Sequence, residues 1–254
     1  MIDWGQLTLF LYIIMRMTGF VVLNPLLGRR NIPGMVKSGM VLLLAVTVFS
    51  AGAGTAAVPV TLLELGLRLV MELAMGAVVA MVMSVFFYIP DLAGEMVDTQ
   101  MGMSMGRTYD AGSQSNMTVT ASLLNALMIL LFFTANGHHT LLRIMITSGD
   151  LVPFGAVRLG DDIAYSVLAL FIECTLLAVK LSLPILAAEL VGQVGMGILM
   201  KVIPQINIFA INIELKVIIG LTLLFLFIAP FSEYLLDAEV RMLAEIRQVL
   251  SGMG

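Results

Sequence analysis

Charge is what this chain of 254 residues has least of: Lys, Arg, Asp and Glu together make up 12% of it, against 60% hydrophobic residues. A soluble domain carries about twice that charge. So few polar side chains do not clothe a globule of this size in water, so lipid or partner subunits must cover much of its surface. Cysteine is nearly absent. Cys174 stands alone, which excludes an internal disulfide, and inside an apolar run it reads as a small packing residue. The net charge is −4, and without clustered Lys and Arg nucleic acid is excluded as a partner. The opening MIDWGQ lacks a basic stretch, so the first apolar segment is expected to be retained rather than cleaved as a secretory signal. No G-x-S-x-G, H-E-x-x-H or Gly-rich phosphate loop stands in the right context. His138 and His139 are adjacent, diverge by about 100° on a helix, and have no Cys or third His to complete a zinc site. No enzyme activity, metal or cofactor is expected.

What the chain does have is long apolar runs; its mean hydropathy is +1.04. Six are long enough for the roughly 20 residues that cross a bilayer: about Leu7 to Leu27, Met35 to Ala53, Val60 to Tyr88, Met117 to Asn136, Ile163 to Val191 and Ile206 to Tyr234. The predicted fold class is all-α, a membrane-associated bundle, with residues 1–254 as one subunit and no separate soluble domain. Between the first two runs, NPLLGRRNIPG (Asn24 to Gly34) is a break, since Pro25 and Pro33 remove donors and the glycines permit turns. Pro90 marks a kink or a stop. His138 to Ser148 suits a short interfacial helix. Asp161 and Asp162 look like a helix start. GQVGMGILMKVIPQIN, from Gly192, reads as a flexible link. In the tail from Glu233 to Gly254, Leu235, Leu236, Val240, Leu243, Ile246 and Leu250 fall near helical spacing and form an apolar stripe.

One stretch stands apart. Gly94 to Met117, GEMVDTQMGMSMGRTYDAGSQSNM, holds five methionines and four glycines. Methionine is unbranched and soft, so it moulds to changing neighbours, and glycine loosens the backbone. One reading is a deformable closure inside a passage. The plainer reading is a helix-to-helix linker, rich in Met because the whole chain is.

The charges inside apolar runs are few and therefore informative. Glu64, Arg68 and Glu72 recur on one helical face and support each other as a wet or partner-facing stripe. Asp91, Glu95 and Asp98 form a short acidic stripe at helical spacing. Glu173 and Lys180 lie seven apart on one face. They are either an ion relay or a buried or intersubunit pair. Glu214 and Lys216, two apart, point to separate partners, and Arg16 either snorkels or faces a partner's carbonyls. With six alternating spans, Arg68, Arg143, Arg158, Arg241 and Arg247 fall on one side and Arg29, Arg30, Lys37, Arg107 and Lys201 on the other. The tie leaves orientation open under the positive-inside rule. A proton-coupled transporter that uses Glu173 and Lys180 is the rival reading from another class.

Three motifs then point to a family. Gly94 to Asp110 is similar to a Gly-x-x-x-x-x-Gln-Met-Gly loop with a later acidic residue. Lys201 to Phe209 follows a Lys-x-x-Pro-Gln-hydrophobic-Asn-x-Phe pattern, with a Leu-Lys pair at Leu215 and Lys216. Arg16 to Pro33 carries R-x-x-G-F and N-P-L-x-G-x-x-x-I-P. In this order the chain resembles the FliR family of the flagellar type III secretion export gate and its injectisome counterparts. Glu214 departs from the pattern, which expects an apolar residue or proline there. The resemblance implies a subunit that assembles with FliP and FliQ, and with FlhB, in the flagellar basal body of the bacterial inner membrane. It implies bent helical hairpins set largely above the membrane plane, and a FliP-like part fused to a FliQ-like part. Unfolded flagellar proteins would pass through the centre, driven by the export machinery and the proton motive force. A channel plug is implied at Gln100, Met101, Gly102, Met103, Ser104 and Met105, with Arg107 and Asp110 at its edge.

Overall fold

The computed structural model describes residues 4–52, 58–103, 108–110, 115–158, 160–202 and 208–254, with backbone alone at 108–110, 115–116, 161–162, 200 and 208–213. The described residues are helical apart from turns and one small hairpin. In chain order they form α1 (Trp4–Leu23), α2 (Gly34–Ser50), α3 (Leu62–Met101), β1 (Thr108–Asp110), β2 (Ser115–Met117), α4 (Val119–Thr134), α5 (Gly137–Ile146), α6 (Ser148–Leu151), α7 (Asp161–Val202), α8 (Ile208–Leu226) and α9 (Ile228–Ser251). The all-α expectation holds, and the run from Asp161 does open a helix.

α3 is the axis of the bundle, with α1, α4, α7, α8 and α9 all packed on it. Directions follow from which residues meet. Along α1 and α3, Arg16 meets Glu72, Gly19 meets Leu73 and Ala77, and Asn24 meets Met83, so the two helices run the same way. α7 runs with them. Val78, Met81 and Val85 face Ile163, Val167 and Phe171 across an apolar groove of about 500 Å³, and further on Met96 accepts a hydrogen bond from Ser182. α2 and α4 return. Phe10 of α1 meets Phe49 at the far end of α2, and Asp98, Gly94 and Asp91 of α3 meet Thr120, Ala121 and Asn125 of α4 in reverse order.

Glycine permits the closest crossings. A Cβ on Gly76 would lie 2.1 Å from the Arg16 carbonyl oxygen, and one on Gly19 would lie 2.1 Å from that of Leu73. Both helices present backbone to backbone at this point, a packing that membrane helices use because small residues bring the chains into dispersion contact.

α3 has 40 residues and α7 has 42. At 1.5 Å per residue each is about 60 Å long, twice a hydrocarbon core of about 30 Å. Trp4–Leu23, Leu62–Met101 and Ile163–Leu199 are long and apolar enough to cross a membrane. Two bent pairs pass the same test together: Val119–Thr134 with Gly137–Ile146, bent by 65°, and Glu214–Leu226 with Ile228–Ser251, bent by 61°. α7 and α8 leave Leu168, Phe171, Leu176, Val191, Ile218 and Phe225 exposed, surface for lipid or partners.

The structure corrects several boundaries. α3 does not stop near Tyr88 but continues through Pro90 to Met101. The missing donor is outweighed because Phe86, Phe87, Ile89, Pro90, Ala93 and Val97 are all buried around it. The first eight residues of the methionine stretch are therefore helix, not loop. Gly192 to Val202 is helix too, not a flexible link. Each glycine there costs about 1 kcal/mol of helix propensity, but in apolar surroundings the backbone has no better way to satisfy its hydrogen bonds. The last apolar run breaks at Phe227, between α8 and α9, not near Tyr234. On α9 the buried face holds Leu235, Ala238, Glu239, Met242, Ile246 and Leu250, whereas Val240 points out.

Candidate functional site

The methionine stretch is built on the tip shared by α3 and α4. α3 ends at Gly102, whose φ of 79° is left-handed and natural to glycine. The amide of Gly102 donates to the Thr99 carbonyl (3.2 Å) and that of Met103 to the Asp98 carbonyl (2.8 Å). The chain continues into an antiparallel hairpin, with Thr108 opposite Met117 and Asp110 opposite Ser115. It then enters α4. The Asp98 side chain is fully buried. Its Oδ2 accepts from the Thr120 amide (2.7 Å) and its Oδ1 from the Thr120 hydroxyl (2.5 Å). A carboxylate from α3 thus caps the amino end of α4, where free N–H groups and the helix dipole favour negative charge. One and two turns back, Gly94 lies against Ala121 and Asp91 Oδ1 accepts from Asn125 Nδ2 at 2.7 Å. The acidic stripe is therefore divided, with Asp91 and Asp98 turned to α4 and Glu95 exposed.

The expected plug residues separate into kinds. Met101 is fully buried and touches α8. A Cβ on Gly220 would sit 2.6 Å from its Sδ. Gln100 is half-buried, Gly102 is exposed, and Met103 is half-buried against the core. Ser104, Met105 and Arg107 lie outside the described residues. Asp110 ends β1. Gly102 to Gly106 spells G-x-S-x-G, but a nucleophile elbow turns from a strand into a helix, and here a helix comes first.

The charges sort differently from expectation. Arg16 neither snorkels nor waits for a partner. It is buried in its own chain, with Nε 2.6 Å from Glu72 Oε2 and Nη2 3.1 Å from Oε1. It also donates to Ser148 Oγ (3.0 Å) and the Val152 carbonyl (3.2 Å), and its guanidinium lies 4.1 Å from the Phe154 ring centroid. Glu72 accepts in addition from the Gly155 amide at 2.7 Å. The node binds α1, α3, α6 and the turn that follows. It divides the first stripe, because Glu64 and Arg68 stay paired near the surface at 2.6 Å while Glu72 turns inward. Glu173 meets not Lys180 but Arg241 of α9, at 3.1 Å and largely exposed. Lys180 and Glu214 are exposed and Lys216 is half-buried. Cys174 is buried and free. The rings of His138 and His139 do not diverge; their centroids lie 4.0 Å apart with the planes tilted by 39°, beside Phe133. Among the described residues no cluster of His, Cys, Asp or Glu could hold a metal ion.

Sequence reasoning passed over Glu189 and Glu239. Both are buried, Glu189 with neither carboxylate oxygen hydrogen-bonded and Glu239 with Oε1 unmatched. Glu189 sits in an apolar stretch, and a charge there is the signal that would have found it; Glu239 stands among the charges of the amphipathic tail, where its burial has no such signal.

The chain matches the family described as bacterial export proteins, family 1, over residues 7–240. It is similar to the flagellar biosynthetic protein FliR of Escherichia coli (strain K12), at 29% identity over 94% of this chain and 93% of that protein. FliR of Bacillus subtilis (strain 168) is 26% identical over 85% of this chain and 84% of its own length. The Yop proteins translocation protein T of Yersinia pestis is 28% identical over 83% and 82%. The resemblance carried by the three motifs therefore holds, and a match over nearly its whole length makes this chain a member of the bacterial export proteins, family 1.

Proposed function

We propose that this protein is a subunit of the flagellar type III export gate, forming part of the channel wall and its closure for unfolded flagellar proteins. The observation that carries the reading is the methionine and glycine strip, which follows the tip where α3 and α4 are joined. Met103 and Met105 are the pliant members of the seal, with Gln100, Gly102, Ser104, Arg107 and Asp110 around them. Met101 anchors the strip on α8 through Gly220. Thioether side chains close on one another without fixed partners and re-form after a chain has passed.

The whole chain serves as one subunit. Its exposed apolar faces on α7 and α8 suit sister proteins of the FliP and FliQ kind, with FlhB beside them, in the bacterial inner membrane at the flagellar basal body. α3 and α7, about twice as long as a bilayer's hydrocarbon core, support hairpins that stand partly clear of lipid. The flagellar reading is preferred to injectisome service by the FliR relatives from Escherichia coli and Bacillus subtilis. A small-molecule transporter loses its relay, since Glu173 is taken by Arg241 near the surface. The family gives no support to catalysis.

The test is conductance. A reconstituted gate with Met103→Ala and Met105→Ala should assemble normally and leak ions several-fold more than wild type. Unchanged conductance in the intact double variant would remove the closure role.

A further inference from the structure

Away from the methionine strip, the turn after α1, the middle of α3 and the bend between α4 and α5 meet around a small cavity of about 80 Å³. Asn24, Met40, Met83, Phe133 and His138 line it, with leucines and Phe132 completing the wall. Local structure brings these side chains together. Asn136 takes a left-handed φ of 58° at the break, and α5 sets off at 65° to α4. His138 is thereby turned back on Phe133, with ring centroids 5.1 Å apart. Its Nδ1 is buried and makes no hydrogen bond among the described residues. The tautomer with its proton on Nε2 leaves that nitrogen a bare lone pair.

Asn24 is buried, and its Oδ1 accepts from the amides of Leu26 (2.9 Å) and Leu27 (3.0 Å). Those two bonds settle which end of the amide is the nitrogen. Nδ2 therefore faces Met83 and donates to its Sδ at 3.1 Å. One hydrogen bond leaves the sulfur a second lone pair and fixes where the thioether sits. Met40 brings a second thioether to the wall from α2. The donors are all neutral, and among the described lining residues there is no carboxylate and no thiol. Calcium and magnesium take oxygen ligands, and a structural zinc takes thiolates or several imidazoles. Thioethers beside an imidazole suit copper(I) and ions like it. A single positive charge is also the least costly to place where no counter-ion stands.

We propose that Met40, Met83 and His138 form a binding site for a soft monovalent cation of the copper(I) and silver(I) type, with Asn24 holding the Met83 thioether in place. Such an ion would tie α2, α3 and α5 together. The site is independent of the closure reading, since Met83 lies about 27 Å along α3 from Met101.

Silver nitrate is the probe, because silver(I) shares these donor preferences and needs no reductant. It is added, without chloride, to the full-length chain in detergent, with Cys174→Ala in every sample to remove the one thiol. Expected are one silver ion retained per chain by native mass, a thermal midpoint raised by silver, and both sulfur and nitrogen neighbours in X-ray absorption at the silver edge. Met83→Leu and Met40→Leu preserve volume, and His138→Phe preserves a planar ring. Each should weaken retention about tenfold or more while the midpoint without silver stays near that of the parent. Met35→Leu, at an exposed methionine of α2, should change nothing. No retained silver, as from a cavity that holds only water, overturns the inference. Equal retention by the parent and the three site variants overturns it too. Where a variant fails to fold, the absorption spectrum of the parent decides, and sulfur neighbours alone or oxygen neighbours alone overturn the inference.

Discussion

The Arg16–Glu72 pair shows how a single residue can be read correctly in kind and wrongly in place. Both charges stand out in apolar runs, and the cost of burying them predicts that each has a partner. The sequence does not say that they are each other's partner, because 56 residues separate them and no helical period spans that gap. Ser148 and the Val152 carbonyl, which complete the node, are farther still. Removing one member leaves the other charged, buried and unmatched. Arg16→Met or Glu72→Leu alone should cost about 3–5 kcal/mol, read as a lower midpoint of thermal unfolding in detergent. The double variant should cost less than the sum of the two, since two apolar side chains of similar volume replace a pair rather than strand a charge. Glu173 behaves in the opposite way. Its pairing with Arg241 is exposed, and Glu173→Gln should shift stability by less than about 1 kcal/mol.

At the scale of the element, α3 decides most of the architecture. Its existence was legible from the apolar run and the charges at its start. Its length was not. Pro90 argues for a stop when only neighbours in sequence are weighed, and what overrides it is burial against α1, α4 and α7, which are distant in the chain. Asp91, Glu95 and Asp98 carry a helical spacing, but how far the helix runs into the methionine stretch was not legible, because a methionine and glycine composition describes a loop equally well. The α1–α3 crossing gives the sharpest element-level prediction. Gly76→Val adds side-chain atoms where a Cβ alone would already lie 2.1 Å from a backbone oxygen. α1 and α3 must then separate, at about 1–3 kcal/mol, and protease access to α1 should rise. Gly39, with open space around it, should accept alanine without loss.

For the whole molecule, α1, α3 and α7 run in one direction and α2 and α4 return. The six apolar runs read as spans, and the even split of Lys and Arg leaves their orientation open; neither reveals which helices sit side by side. A pattern invisible in the residues is also present: a helix of about forty residues followed by a pair bent by just over 60° occurs twice, in α3 to α5 and in α7 to α9. The carboxyl-terminal segment closes the assembly of elements. Met253 is fully buried, and its carbonyl accepts the Arg158 amide at 3.0 Å, next to the turn that serves the Arg16 node. Deleting Met253 and Gly254 should therefore destabilise the region around α6, measurable as faster hydrogen exchange at Ser148 to Arg158.

The burial of Cys174 has a practical side. The chain's one thiol is sealed within α7, so a cysteine placed at Met103 would be the sole site open to a maleimide dye in the native fold. Under the closure proposed above, a fluorophore attached there would report on the strip during transit, with no need to engineer away a competing label.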